Sequence, residues 1–319
     1  MTVGNGQAMR GRLLALPANV RGALWVLLAA TLFAGMGTLV KLLGDRFDSF
    51  QLAFFRALFG FLAILPFVVR MGVAELRTKR PGLHFVRGIG GASAMLCGVY
   101  AITHLTFADA VSLSYARSLF LIPLAVVFLG ETVRARRWTA TAVGFLGVVI
   151  MMRPTGAIEL ATFVAILGAF LVAAVTIMVK KLAETDRPET LIFYFGVIST
   201  SVALLPALQV WRSPAWDELA LLMLVGACGA GAQYCMIRGY RIGEATAVIP
   251  FDYARLLIAG VIGVVVFAEI PDAWTLTGAA VIVVSTLYIA LREAQLGKPK
   301  EPVEPSVNPP VVPAEAKRD

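Results

Sequence analysis

The chain is short of charge: of 319 residues, 15% are Asp, Glu, Lys or Arg and 59% are hydrophobic, against roughly 25% and 45–50% in soluble domains. So little polar surface cannot cover a water-soluble core. Histidine is scarce, and the two present, His84 and His104, stand near opposite ends of apolar runs. Cys97, Cys228 and Cys235 lie inside such runs without metal-ligand spacing and read as small packing residues, so no metal site is expected. There is no phosphate-binding loop, no nucleophile motif and no paired metal-binding histidine. An enzyme is therefore not indicated, no cofactor is expected, and ATP-driven work is excluded. Also missing are the ten-residue stretches of alternating polarity that would mark a membrane β-barrel.

What is present is continuous apolar sequence. Ten runs close to the ~20 residues needed to cross a bilayer as helix occupy about 22–43, 50–69, 84–103, 107–130, 138–152, 160–179, 190–210, 219–237, 246–268 and 274–291. They predict an all-α integral membrane protein of ten transmembrane helices. The first run continues from Gly22 past Lys41 and follows a mixed segment, which reads as a retained anchor and not a removable signal peptide. The net charge of +8 does not call for a nucleic-acid partner, because the basic residues cluster in alternate loops. Arg77, Lys79 and Arg80, then Arg134, Arg136 and Arg137, then Lys180 and Lys181 fall on one side, together with both ends of the chain. The positive-inside rule makes that side, and both termini, cytoplasmic. A multi-pass protein of a bacterial inner membrane follows, with the lipid bilayer as its solvent.

SYARSLFLIPLAVVFLGE at 114–131 matches DYARLLIAGVIGVVVFAE at 252–269, pairing Tyr115 with Tyr253, Arg117 with Arg255 and Glu131 with Glu269. Two five-helix halves are expected, at 22–152 and 160–292, flanked by a cytoplasmic segment at 1–21 and a proline-rich, disordered tail at 293–319. Because five is odd, the second half enters from the opposite side. Inverted repeats of this kind place a substrate site near the bilayer midplane.

Arg117 and Arg255 fall about ten and nine residues into their helices, hence near mid-bilayer at about 1.5 Å per residue. A central arginine costs at least about 2.5 kcal/mol on insertion scales and needs an interior partner. Asp252, three residues before Arg255 on the same helix face, is the expected partner of Arg255. Ser114 takes the equivalent place before Arg117, so Arg117 is expected to be free to bind the anionic group of a substrate through its planar fork. Tyr115 and Tyr253 are candidates either to stack on a planar ligand or to pack between helices. Arg56 has no counterpart in the second half and is expected to reach an interface or a helix end. The small-residue stretches 88–98 and 226–232 predict close helix packing.

The paired repeats, FFR at 54–56 and the segment 232–269 resemble the drug/metabolite transporter superfamily, EamA type, over about residues 20–292. The last segment is especially similar to the subgroup of bacterial S-adenosylmethionine uptake carriers, and more loosely to riboflavin and amino-acid carriers. The resemblance implies a secondary transporter of a small organic metabolite, driven by a gradient, a coupled proton or a counter-substrate. An exporter of amino acids or toxic compounds is the alternative, and a non-transporting scaffold is the alternative of another class.

Overall fold

In the computed structural model, the described residues are 16–71, 76–130, 135–151, 159–183, 185–186, 188–242 and 249–296. The N-terminal segment before residue 16, the tail after residue 296, Glu131 and Arg134 lie outside them. Among the described residues the protein is helical throughout. Helices α1 (Ala18–Gly44), α2 (Ser49–Met71) and α3 (Pro81–His104) come first. The fourth run is broken into α4a (Phe107–Ser114) and α4b (Arg117–Leu129), and α5 (Ala135–Met151) closes the first half. The second half holds α6 (Leu160–Ala183), α7 (Pro188–Gln209), α8 (Trp216–Ile242), a 3-10 turn (Ile249–Tyr253), α9 (Ala254–Phe267) and α10 (Ala273–Leu296). Among the described residues, seven spans are long and apolar enough to cross a membrane, and Trp138–Met151 and Ala273–Tyr288 are shorter apolar helices.

The two interruptions fall at equivalent places. In the first half, the amides of Tyr115, Ala116, Ser118 and Leu119 bond to carbonyls three residues back, tightening the backbone around the break. The Ser114 hydroxyl helps by donating to the Val111 carbonyl at 2.6 Å. In the second half the 3-10 turn ends at Tyr253, the residue that matches Tyr115. Each Tyr-x-Arg therefore stands where a helix starts again, with Arg117 the first residue of α4b and Arg255 the second of α9.

Helix contacts come in matched sets. α1 packs on α8 and α3 on α6; α2 packs on α8 and α3 on α7; α9 packs on α1 and α4b on α6. α2 with α7 and α5 with α10 complete the bundle, so exchanging the halves reproduces the contact pattern. The small residues permit it: a Cβ on Gly226 would lie 2.6 Å from the Gly60 amide nitrogen and 2.5 Å from the Phe59 Cβ. Apolar side chains point outward as well as inward, Leu205, Leu257 and Val265 being 70%, 73% and 77% exposed, as a surface facing lipid tails requires.

Polar side chains tie the bundle at its two ends. At one, Glu218 takes Arg212 at 3.0 Å and Arg46 at 3.5 Å, and Gln51 exchanges hydrogen bonds with the backbone of Arg212. At the other, Asp186 accepts from Thr78 at 2.5 Å and meets His84 Nε2 at 2.6 Å. Burial pushes the Asp186 carboxyl up, but hydrogen bonds from Thr78, His84 and Thr185 and the His84 charge outweigh it and hold the group below its ordinary range.

Candidate functional site

The two helix restarts meet. Tyr115 is buried, stacks on Tyr253 with ring centroids 4.9 Å apart, and donates its hydroxyl to the Asp252 carbonyl at 2.8 Å. Tyr253 donates to Thr286 at 2.5 Å. One face of each ring is thus used by the other, and the hydroxyls tie the two restarts to each other and to α10.

Arg117 and Arg255 line one cavity of about 100 Å³, walled by small residues of α3 and α6 such as Gly98, Ala165 and Gly168, with Ser114 at the break. The expected pairing within α9 is not what the geometry contains. Asp252 faces across the halves and takes Arg117 Nη2 at 3.5 Å. Asp252 belongs to the 3-10 turn and Arg255 to α9, so a junction falls between them and the two do not share one regular helix face.

Among the described residues, Arg255 is instead the arginine without a hydrogen-bond acceptor. Its Nε is shielded and unbonded, and its guanidinium lies over the Phe33 ring at 5.2 Å. Arg117 has both Asp252 and the face of Tyr115, at 5.7 Å. Arg56 does not reach an interface. It turns inward, its Nε 3.3 Å from the Met36 sulfur, near enough to Arg255 for the two charges to repel.

Lys41, which the sequence marks only as a charge within the first apolar run, is part of the interior. Its ammonium meets Glu269 at 2.5 Å and donates to the Leu105 carbonyl at 2.6 Å. The other Glu269 oxygen accepts from the Phe107 amide at 2.8 Å, capping the N-terminus of α4a with negative charge. Three chain ends are thereby bound together: the close of α1, the turn between α3 and α4a, and the residue following α9. The repeated Glu was the available signal; the partner lies more than two hundred residues away in sequence. No group of three or more His, Cys, Asp or Glu side chains suited to a metal occurs among the described residues.

The EamA-like transporter family model matches residues 20–153 and again 160–291. An S-adenosylmethionine uptake transporter of Rickettsia prowazekii (strain Madrid E) is 34% identical over 280 residues, covering 88% of this chain and 95% of its own. A riboflavin transporter of Rhizobium johnstonii is 33% identical over 86% of this chain and 92% of its own. A pseudopaline exporter of Pseudomonas aeruginosa is 30% identical over 84% and 95%. A solved crystal structure at 20% identity superposes with a TM-score of 0.59 over 87% of this chain and 98% of its own, a likeness of fold.

Proposed function

Since the chain belongs to the EamA-like transporter family, we propose that it is a secondary carrier whose substrate, a small organic metabolite, is held in the cavity between Arg117 and Arg255. The observation that carries this reading is the unequal state of the two arginines: Asp252 contacts Arg117 at 3.5 Å, while Arg255 lines the same cavity with no hydrogen-bond acceptor among the described residues. A half-buried guanidinium in that condition suits a carboxylate or phosphate, which it binds in two-point geometry. Asp252 holds Arg117 in place, and Tyr115 and Tyr253 frame the site from behind.

The matched helix contacts support a two-fold relation between the halves; the odd number of helices in each half and the loop charges favour an inverted one with both termini in the cytoplasm. Rocking of one half against the other then opens the cavity to alternate faces. At about 100 Å³ the cavity is smaller than the roughly 300–1,000 Å³ of pockets that enclose drug-sized ligands, so loading requires the helices to part. The Lys41–Glu269 pair closes the end where α1 terminates. Uptake of an S-adenosylmethionine-like, riboflavin-like or amino-acid-type solute is the direction and class suggested by the names of the relatives. Export is the second reading, favoured by the pseudopaline exporter.

Full-length protein in proteoliposomes tests the site, with labelled S-adenosylmethionine, riboflavin and amino acids offered in turn. Arg255→Gln should weaken binding of the transported solute by about ten- to a hundredfold, the range for a charged hydrogen-bonding group, while the protein stays monodisperse. Unchanged affinity in Arg255→Gln sinks the assignment. Labelling of a cysteine placed at Arg136 from the periplasmic side of intact cells would overturn the topology.

A further inference from the structure

Around the central cavity, arginine outnumbers the carboxylates that contact it among the described residues. Asp252 is the single carboxylate, among the described residues, in contact with any of Arg56, Arg117 and Arg255, and it is on Arg117. Arg56 has only the Met36 thioether, an uncharged and weak acceptor. Arg255 has only the face of Phe33. Phe33 and Met36 are three residues apart on α1, so both guanidinium groups lie against neighbouring positions on one helix face, where they repel. Arginine does not escape burial by losing its proton. Among the described residues, two positive charges therefore remain without a carboxylate in contact, one of them, Arg255, on the wall of a cavity too small to give it a full hydration shell.

Resting on the substrate site just described but departing from the solutes named for the relatives, we propose that this carrier selects a metabolite bearing two negative charges, a phosphate monoester or a pair of carboxylates. Arg255 and Arg117 touch the anion. Arg56 does not line the cavity and is a positioning residue: its charge, set behind Arg255, presses that guanidinium toward the ligand and creates the need for a second negative charge. A monoanion leaves one of the two charges unbalanced. A ligand of net positive charge, such as S-adenosylmethionine with its sulfonium and ammonium groups, adds to the excess.

The test is equilibrium binding to the purified full-length chain with sulfate, inorganic phosphate, acetate and S-adenosylmethionine as probes. Sulfate is divalent throughout the accessible pH range, whereas phosphate passes from monovalent to divalent across neutrality. Sulfate should bind at least about tenfold more tightly than acetate, and phosphate should approach sulfate in affinity as pH rises from 6 to 8 while sulfate itself changes little. Arg56→Met should bring the sulfate-to-acetate ratio close to one, and Arg56→Lys should restore it, a pattern that loss of packing alone would not produce. Equal affinity for sulfate and acetate, or a phosphate affinity indifferent to pH, overturns the proposal on the unmodified protein even if Arg56→Met does not fold. Retention of the ratio in Arg56→Met overturns the role of Arg56. If Arg255→Gln binds every probe as the parent does, the site itself is misplaced; if it loses them all while valence makes no difference in the parent, the site stands and the divalent preference fails.

Discussion

Replacing Lys41 by Met removes an ammonium while keeping most of the side-chain volume, and it strikes the contact that joins the close of α1 to Glu269 and the start of α4a. Taking one partner from a fully buried ion pair costs about 3–5 kcal/mol, because the remaining charge stays desolvated. Here Lys41 and Glu269 retain 13% and 23% of their side-chain exposure, and Glu269 keeps the Phe107 amide as a donor. Both facts reduce the penalty to about 2 kcal/mol. In a carrier that alternates between two conformations, the loss falls on the one closed at this end. About 2 kcal/mol corresponds to a shift of roughly thirtyfold in their ratio. Accessibility of the cavity reads that shift directly. With the native cysteines removed, a cysteine at Ser114, on the cavity wall, should be labelled up to about thirtyfold faster from the Lys41 end in Lys41→Met than in the parent. Lys41→Arg should return labelling toward the parental rate, and the double variant Lys41→Met/Glu269→Gln should be less perturbed in stability than Lys41→Met alone. Labelling and thermal stability both unchanged in Lys41→Met would refute the view that this pair holds the end shut.

Asp252→Asn should lower the unfolding temperature modestly, by the equivalent of about 1–2 kcal/mol, since Arg117 at 35% side-chain exposure keeps some solvent of its own; if Asp252 carries a coupling proton, the same change should also flatten the pH profile of transport. The depressed Asp186 carboxyl contributes stability at pH values above the unfolded carboxylate range, and that stability is lost as pH falls through its lower folded value. A melting curve taken down the acid range should show this loss, and Asp186→Asn should remove it. Gly226→Ala should destabilise by about 1–3 kcal/mol, because its Cβ would sit 2.6 Å from the Gly60 backbone with no flexible side chain to yield; a melting temperature equal to the parent's would refute the close α2–α8 contact.

Composition and hydropathy determined a great deal alone. Ten apolar runs in a chain with so few charges leave helices as the way to satisfy backbone groups in lipid, and all ten are helical where described. The repeat of Tyr-x-Arg was likewise legible, since identical polar residues inside apolar sequence carry information that Leu, Val and Ala do not. It brought Arg117 and Arg255 forward as a pair before any contact was known, and both line one cavity.

Which carboxylate meets which arginine was a matter for the tertiary structure. Spacing along one helix assigns Asp252 to Arg255, but a junction between the 3-10 turn and α9 falls between them, and the carboxylate crosses to Arg117 in the other half. Arg56 and Lys41 carried no local sign of an interior role because Met36 and Glu269, the groups they meet, sit on other helices. Hydropathy is a property of a segment and period a property of one helix, so both can be read along the chain. An ion pair between halves depends on distances of a few ångströms between residues more than a hundred positions apart, and those distances exist only once the helices have packed.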